Sequence, residues 1–197
     1  MEDEEMEEDR LSQVISYTSF FLSVPLMIYY GLSVEGYNIL VLDVLLLFGL
    51  NYNRRPRLKA KNYFYALAWS GVCIPIMLAR AYLTASWMMV SPLIFWLSYS
   101  FKKLSLALLV ASAEEHFRLA VAKASYKYLF RYLDPLVGVT ASYSVATLIW
   151  TLYHFLTRPY MVDYALWLYA GGLLLSLAMH KGGLSSAIIA HAVVDML

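Results

Sequence analysis

Three short runs in the second half of the chain carry ionisable side chains at spacings that could do chemistry together. In the first, Ala113, Glu114, Glu115, His116, Phe117 and Arg118 follow one another inside a stretch that otherwise reads as apolar helix. Glu114 and Arg118 stand four apart, share a helix face and are expected to pair. Glu115 points about 100° away from Glu114, towards a different neighbour. The second run places His154 one turn after Trp150. In the third, Asp195 follows His191 by four residues, so the carboxylate can fix the imidazole tautomer or both can act on one substrate atom. Each run alone has an ordinary structural explanation: an interfacial ion pair, a histidine bonded to backbone near a helix end, a buried His–Asp clasp. Buried separately in three apolar helices they would be expensive, and one shared polar site costs less. Such a set suits hydrolysis, in which a carboxylate deprotonates water and donors stabilise the oxyanion formed on an attacked carbonyl. With Glu114 neutralised by Arg118, Glu115 is the expected base. His154 and His191 would then bind the oxyanion or assist the base, and Asp195 would orient His191. Two histidines, a glutamate and an aspartate could equally hold zinc. No ligand set exceeds one histidine from each of two helices, so neither metal nor cofactor is expected.

The elements that must position these residues are apolar throughout. Of 197 residues, 61% are apolar and 15% charged, against a usual ~45–50% and ~25%. The mean hydropathy is +0.59. One water-soluble core of this length could not bury that much apolar surface, so the excess requires lipid. Disorder, coiled coil and nucleic-acid binding are excluded on the same ground. The single cysteine, Cys73, excludes an internal disulfide framework and a multi-cysteine metal site. A spanning helix needs about 20 largely apolar residues. Residues 14–34, 38–52, 63–82, 88–101, 137–156, 164–179 and 184–197 form such runs or shorter ones, and 104–133, without Pro or Gly, reads as one long helix. The expected fold is an all-α, polytopic transmembrane bundle of about seven to eight hydrophobic helices, with no strands and no internal repeat. Residues 1–13 read as an acidic tail and 14–197 as one transmembrane domain, with the motifs in 104–197.

Charge is distributed unevenly around a net of +1. Seven of the 14 acids, Glu2, Asp3, Glu4, Glu5, Glu7, Glu8 and Asp9, precede residue 10. That run has no apolar segment of a secretory signal. It reads as a solvated tail or, alternatively, as a docking segment for a basic partner. Arg54, Arg55, Arg57, Lys59 and Lys61 form a basic loop, which the positive-inside rule assigns to the cytoplasm together with the N-terminus. If every segment crosses, the basic residues from Arg118 to Arg131 fall on the outer side, against that rule. A half-crossing fourth segment or an interfacial basic helix would repair the conflict. Asp43, alone in the second span, reads as a helix–helix contact, with Arg80 or a site histidine as its natural partner.

The order of the three runs resembles the CPBP intramembrane protease family (CAAX protease and bacteriocin-processing, or Abi). Its pattern is EExxxR, then FxxxH, then HxxxN or a near variant. Trp150 to His154 (WTLYH) resembles the second motif with Trp for Phe. Gly183 to Asp195 (GLSSAIIAHAVVD) resembles the third with Asp for Asn, and Phe117-Arg118 resembles the end of the first. The resemblance spans 104–197. In this register Ala113 occupies the position of the first family glutamate, which the family uses as the water-activating base, and Glu114 that of the second. The EExxR spacing is also similar to the EExxK of PrsW-type membrane proteases. The resemblance implies an intramembrane endopeptidase with a metal-independent glutamate mechanism. It would act on a peptide or protein substrate near the membrane surface, with the cytoplasmic membrane as the expected location and lipid around it. Ala113 supports the alternative, a catalytically inactive family-fold protein serving as an accessory subunit of a membrane complex. A transporter is disfavoured because no inverted repeat is present.

Overall fold

The computed structural model describes residues 9–53, 68, 71–72 and 101–196. The acids from Glu2 to Glu8, the basic loop from Arg54 to Lys61, nearly all of the two spans expected at 63–82 and 88–101, and Arg80 lie outside these residues. Among the described residues there is helix and no strand. We number the described α-helices α1 (Arg10–Tyr30), α2 (Val34–Tyr52), α3 (Phe101–Ser125), α4 (Pro135–Thr157), α5 (Ala165–Gly182) and α6 (Leu184–Met196).

The helix ends follow from local chemistry. The Asp9 carboxylate caps α1 by accepting from the Ser12 amide at 2.8 Å. Gly31, at φ +57, ends that helix where a side chain would be strained. Ser33 then accepts from the Gly36 amide to start α2. Asp134 accepts from the Leu136 and Val137 amides, and Pro135 opens α4, where its missing N–H costs nothing. Gly183, at φ +86, separates α5 from α6. The single helix expected over 104–133 is instead α3 followed by a wide π-type turn, Tyr126–Phe130. The start of α4 lies against that turn, since a Cβ on Gly138 would stand 2.8 Å from the Phe130 carbonyl oxygen.

Helix α3 is the axis of the molecule, packed against α1, α2, α4 and α6, while α5 packs on α4 and α6. Among the described residues, four segments, Arg10–Ile28, Val34–Tyr52, Pro135–Thr157 and Tyr160–Gly182, are long and apolar enough to cross a membrane. Their amphipathicity is inverted relative to a water-soluble helix. On α1, Ser12, Ser16, Ser19 and Ser23 are buried while Val14, Phe21 and Ile28 face outward. On α4, Ser142, Thr147 and His154 are buried while Leu148, Leu152 and Leu156 are exposed. An apolar exterior around a polar seam is what lipid selects. The chain is a helical membrane protein.

Helix direction removes the charge conflict. Ser16 meets His116 and Ser19 meets Ser112, so α1 runs antiparallel to α3. The α1–α2 hairpin reverses the chain, and α2 therefore runs parallel to α3. Lys123, Lys127 and Arg131 consequently lie towards the end where α2 finishes and α1 begins. Arg118 does not belong with them, being 1% exposed in the interior. Asp9, counted with the acidic tail above, is also buried. Its second oxygen accepts from the Ser185 amide at 3.0 Å, tying the start of α1 to the start of α6.

Candidate active site

The middle of α3 carries three charges that no aqueous contact relieves: Glu114 is 5% exposed, Glu115 0% and Arg118 1%. Both carboxylates must therefore be matched inside the bundle. Arg118 pairs with Glu115, three residues earlier, its Nη1 reaching Oε1 at 2.7 Å and Oε2 at 2.8 Å. The expected Glu114–Arg118 pair is not formed. Spacings of three and four are both open to a helical ion pair, and tertiary acceptors decide between them. The other guanidinium nitrogen donates to Thr147 of α4, at 3.3 Å, and to the Gly172 carbonyl and Ser176 hydroxyl of α5. That anchorage draws the arginine to the side of α3 where Glu115 stands.

Glu114 is left facing the histidines. Its Oε1 lies 3.8 Å from His154 Nε2 and its Oε2 lies 3.7 Å from His191 Nε2. The Trp150 indole N–H donates to Oε2 at 2.5 Å. Each imidazole uses Nδ1 elsewhere. His154 Nδ1 faces the Trp150 carbonyl at 3.0 Å, one turn back on α4. A carbonyl accepts only, so that nitrogen carries the proton. His191 Nδ1 donates to Glu115 Oε1 at 2.7 Å. Glu115, rather than Asp195, thus orients His191. Asp195 shares the histidine's face of α6 as expected, but stands 3.7 Å from Nε2 with its side chain 32% exposed. It forms the outer edge of the cluster.

Three helices therefore bring Glu114, His154 and His191 together, with Glu115 and Arg118 behind them and Asp195 at the rim. Separations of 3.7 and 3.8 Å are too long for direct hydrogen bonds but close enough for electrostatic pairing. A water beside Glu114 and the imidazoles could give its proton to the carboxylate; with Nδ1 protonated, each Nε2 accepts while its ring is neutral and donates to an oxyanion only when the ring carries a second proton there. Ala113 points elsewhere, buried in an apolar cluster with Leu109 of α3 and Ile39, Leu42, Leu46 and Leu50 of α2. Among the described residues, no three His, Cys, Asp or Glu side chains group as a metal site.

Sequence reasoning passed over Thr147, Gly172 and Ser176, because small and hydroxyl residues are common in membrane helices and carry no signal singly. Gly172 could be recognised only in space: a Cβ there would sit 2.7 Å from Thr147 Cγ2 and 3.2 Å from the Trp150 ring. Ser12, Ser16, Ser19 and Ser23 did carry a signal, since spacings of four, three and four trace one helix stripe. They line a second polar region. There Ser16 meets His116 Nε2 at 2.9 Å, Asn53 donates to the His116 carbonyl at 2.9 Å, and Ser23 donates to Asp43 at 2.8 Å. Asp43 is thus a helix–helix contact, with Ser23 as its partner. Comparisons with protein-family models, with curated proteins and with solved structures found no match.

Proposed function

We propose that this protein is an intramembrane endopeptidase, similar to the CPBP family, in which Glu114 activates water for attack on a peptide bond near the membrane surface. The observation that carries the proposal is the approach of Glu114 to the Nε2 atoms of His154 and His191 from three different helices. Arg118 does not neutralise this carboxylate, which a water-activating base requires. Glu115 serves instead as the orienting partner of His191. Ala113, the sequence feature that favoured a pseudoprotease, lies in an apolar cluster where no base is needed. The proposal includes the seven to eight hydrophobic helices suggested by the apolar runs. It also includes a cytoplasmic membrane location with the N-terminus inside, because Lys123, Lys127 and Arg131 lie towards the end where α1 begins.

The test uses purified full-length protein in liposomes with a panel of quenched fluorescent peptides, each carrying a membrane-inserted apolar segment. Wild type cleaves at least one peptide, and Glu114→Gln loses cleavage by about 1,000-fold or more, the combined scale of base and oriented water, with unchanged helical content. Cleavage by Glu114→Gln at the wild-type rate rejects the assignment. Stoichiometric zinc in the purified protein, lost together with activity on chelation, would replace the glutamate mechanism with a metal-assisted one.

A further inference from the structure

We propose that Trp150 is a positioning residue for the reaction, holding the Glu114 carboxylate through its indole N–H so that one oxygen faces each histidine. This rests on the protease proposal for the same site. A glutamate has three side-chain torsions, and inside a bundle its carboxylate would otherwise swing towards the nearest imidazole. The indole N–H, donating to Oε2 at 2.5 Å, removes that freedom. It also leaves Oε1, the oxygen opposite His154, outside the bond. An indole is a donor only and cannot take the proton that the carboxylate must accept. It orients the base without competing with it.

The ring itself is held from several sides. The Arg118 guanidinium lies 5.4 Å from its centroid, and the His154 and His191 rings lie at 4.4 and 5.9 Å. Gly172 of α5 leaves room for the indole, since a Cβ there would come within 3.2 Å of the ring. His154 is bonded through Nδ1 to the Trp150 backbone carbonyl, so one residue sets both the carboxylate and the first histidine. A phenylalanine at 150 would fill much of the same space but could not donate. The tryptophan is therefore the feature that fixes Glu114 in this chain.

The decisive experiment compares wild type with Trp150→Phe and with Trp150→benzothienylalanine, which keeps the shape of the indole and lacks only the N–H. Peptide cleavage in liposomes is measured at saturating and limiting substrate. Both variants lower kcat about 10- to 100-fold and leave KM within about twofold, the pattern for an interaction that aligns the base rather than binds substrate. Retention of wild-type kcat by the benzothienyl variant overturns the inference while the protease proposal stands. A second readout is independent of activity. In protein labelled with 15N-tryptophan, the indole resonance that Trp150→Phe removes is shifted downfield, and Glu114→Ala returns it towards the position of an unbonded indole. An unchanged resonance in Glu114→Ala rejects the bond itself. Absence of cleavage by wild type rejects the protease proposal and the positioning role with it, while the resonance still reports whether indole and carboxylate are bonded.

Discussion

The two polar regions flanking α3 use similar side chains to opposite ends. On the side of α4 and α6, Glu114, His154 and His191 converge from three helices and stop 3.7 to 3.8 Å apart. On the side of α1 and α2, His116 and Asp43 are equally buried, but serine hydroxyls engage their side chains at 2.8 to 2.9 Å and the Asn53 amide bonds the His116 backbone carbonyl at 2.9 Å. The second region holds helices together, for hydrogen bonds between membrane helices are a source of association. In the first, close partners lie behind and beside the converging atoms: Glu115 takes Arg118 and His191, and Trp150 takes one oxygen of Glu114. Burial of a histidine or an acid thus does not distinguish a site from a seam. What distinguishes them is whether the inner atoms are joined by direct hydrogen bonds or face one another at longer separations.

Substitutions on the two sides should separate in kind as well as size. The largest effect is expected from Arg118→Met, which leaves Glu115 as an uncompensated buried charge and strands acceptors on α4 and α5. Loss of about 3–5 kcal/mol is expected, read as a fall in unfolding midpoint in detergent, and a fall under 1 kcal/mol would show that Arg118 is not the anchor of the bundle. Next is Gly49→Ala on the seam side, where a Cβ would stand 2.5 Å from His116 Cβ and 2.9 Å from its backbone carbon. Helices α2 and α3 must separate to admit it, at about 1–3 kcal/mol. Cleavage should fall only as far as the folded fraction does. Ser16→Ala removes one bond to His116 and should lower stability by about 1 kcal/mol, leaving the kcat of the proposed cleavage by folded protein unchanged. A kcat that dropped with Ser16→Ala would merge the two regions into one functional unit. The smallest change is expected from Asp43→Asn. It keeps an acceptor for Ser23 and relieves a carboxylate whose second oxygen has no hydrogen-bond partner among the described residues, so stability should hold within about 1 kcal/mol or rise.

Much of this was legible in the residue string. An apolar excess beyond what one core can bury selects lipid as solvent, and the breaks at Asp134-Pro135 and Gly183 follow from backbone chemistry, whereas the end of α1 at Gly31 fell inside the run expected over 14–34. The grouping of these polar residues was legible too, because six ionisable or imidazole side chains in apolar helices have few inexpensive arrangements other than a common one. The wide turn at Tyr126–Phe130 was not, since YKYLF has nothing in its composition that disfavours an ordinary helix. Nor was the direction of α3, which depends on how many segments cross before it.

The sequence by itself determined the class of molecule, the breaks at Asp134-Pro135 and Gly183 and the membership of the polar cluster, because hydropathy, backbone conformation and the cost of buried charge act on each residue wherever it finally packs. Only the tertiary structure decided the roles within the cluster. Whether Arg118 takes the glutamate three or four residues before it is nearly neutral along a helix. Thr147, Gly172 and Ser176 on two other helices tip the arginine towards Glu115. That choice gives Glu115 to His191 and leaves Glu114 between the two imidazoles, a distinction of one residue made by acceptors 29 to 58 positions away in the chain.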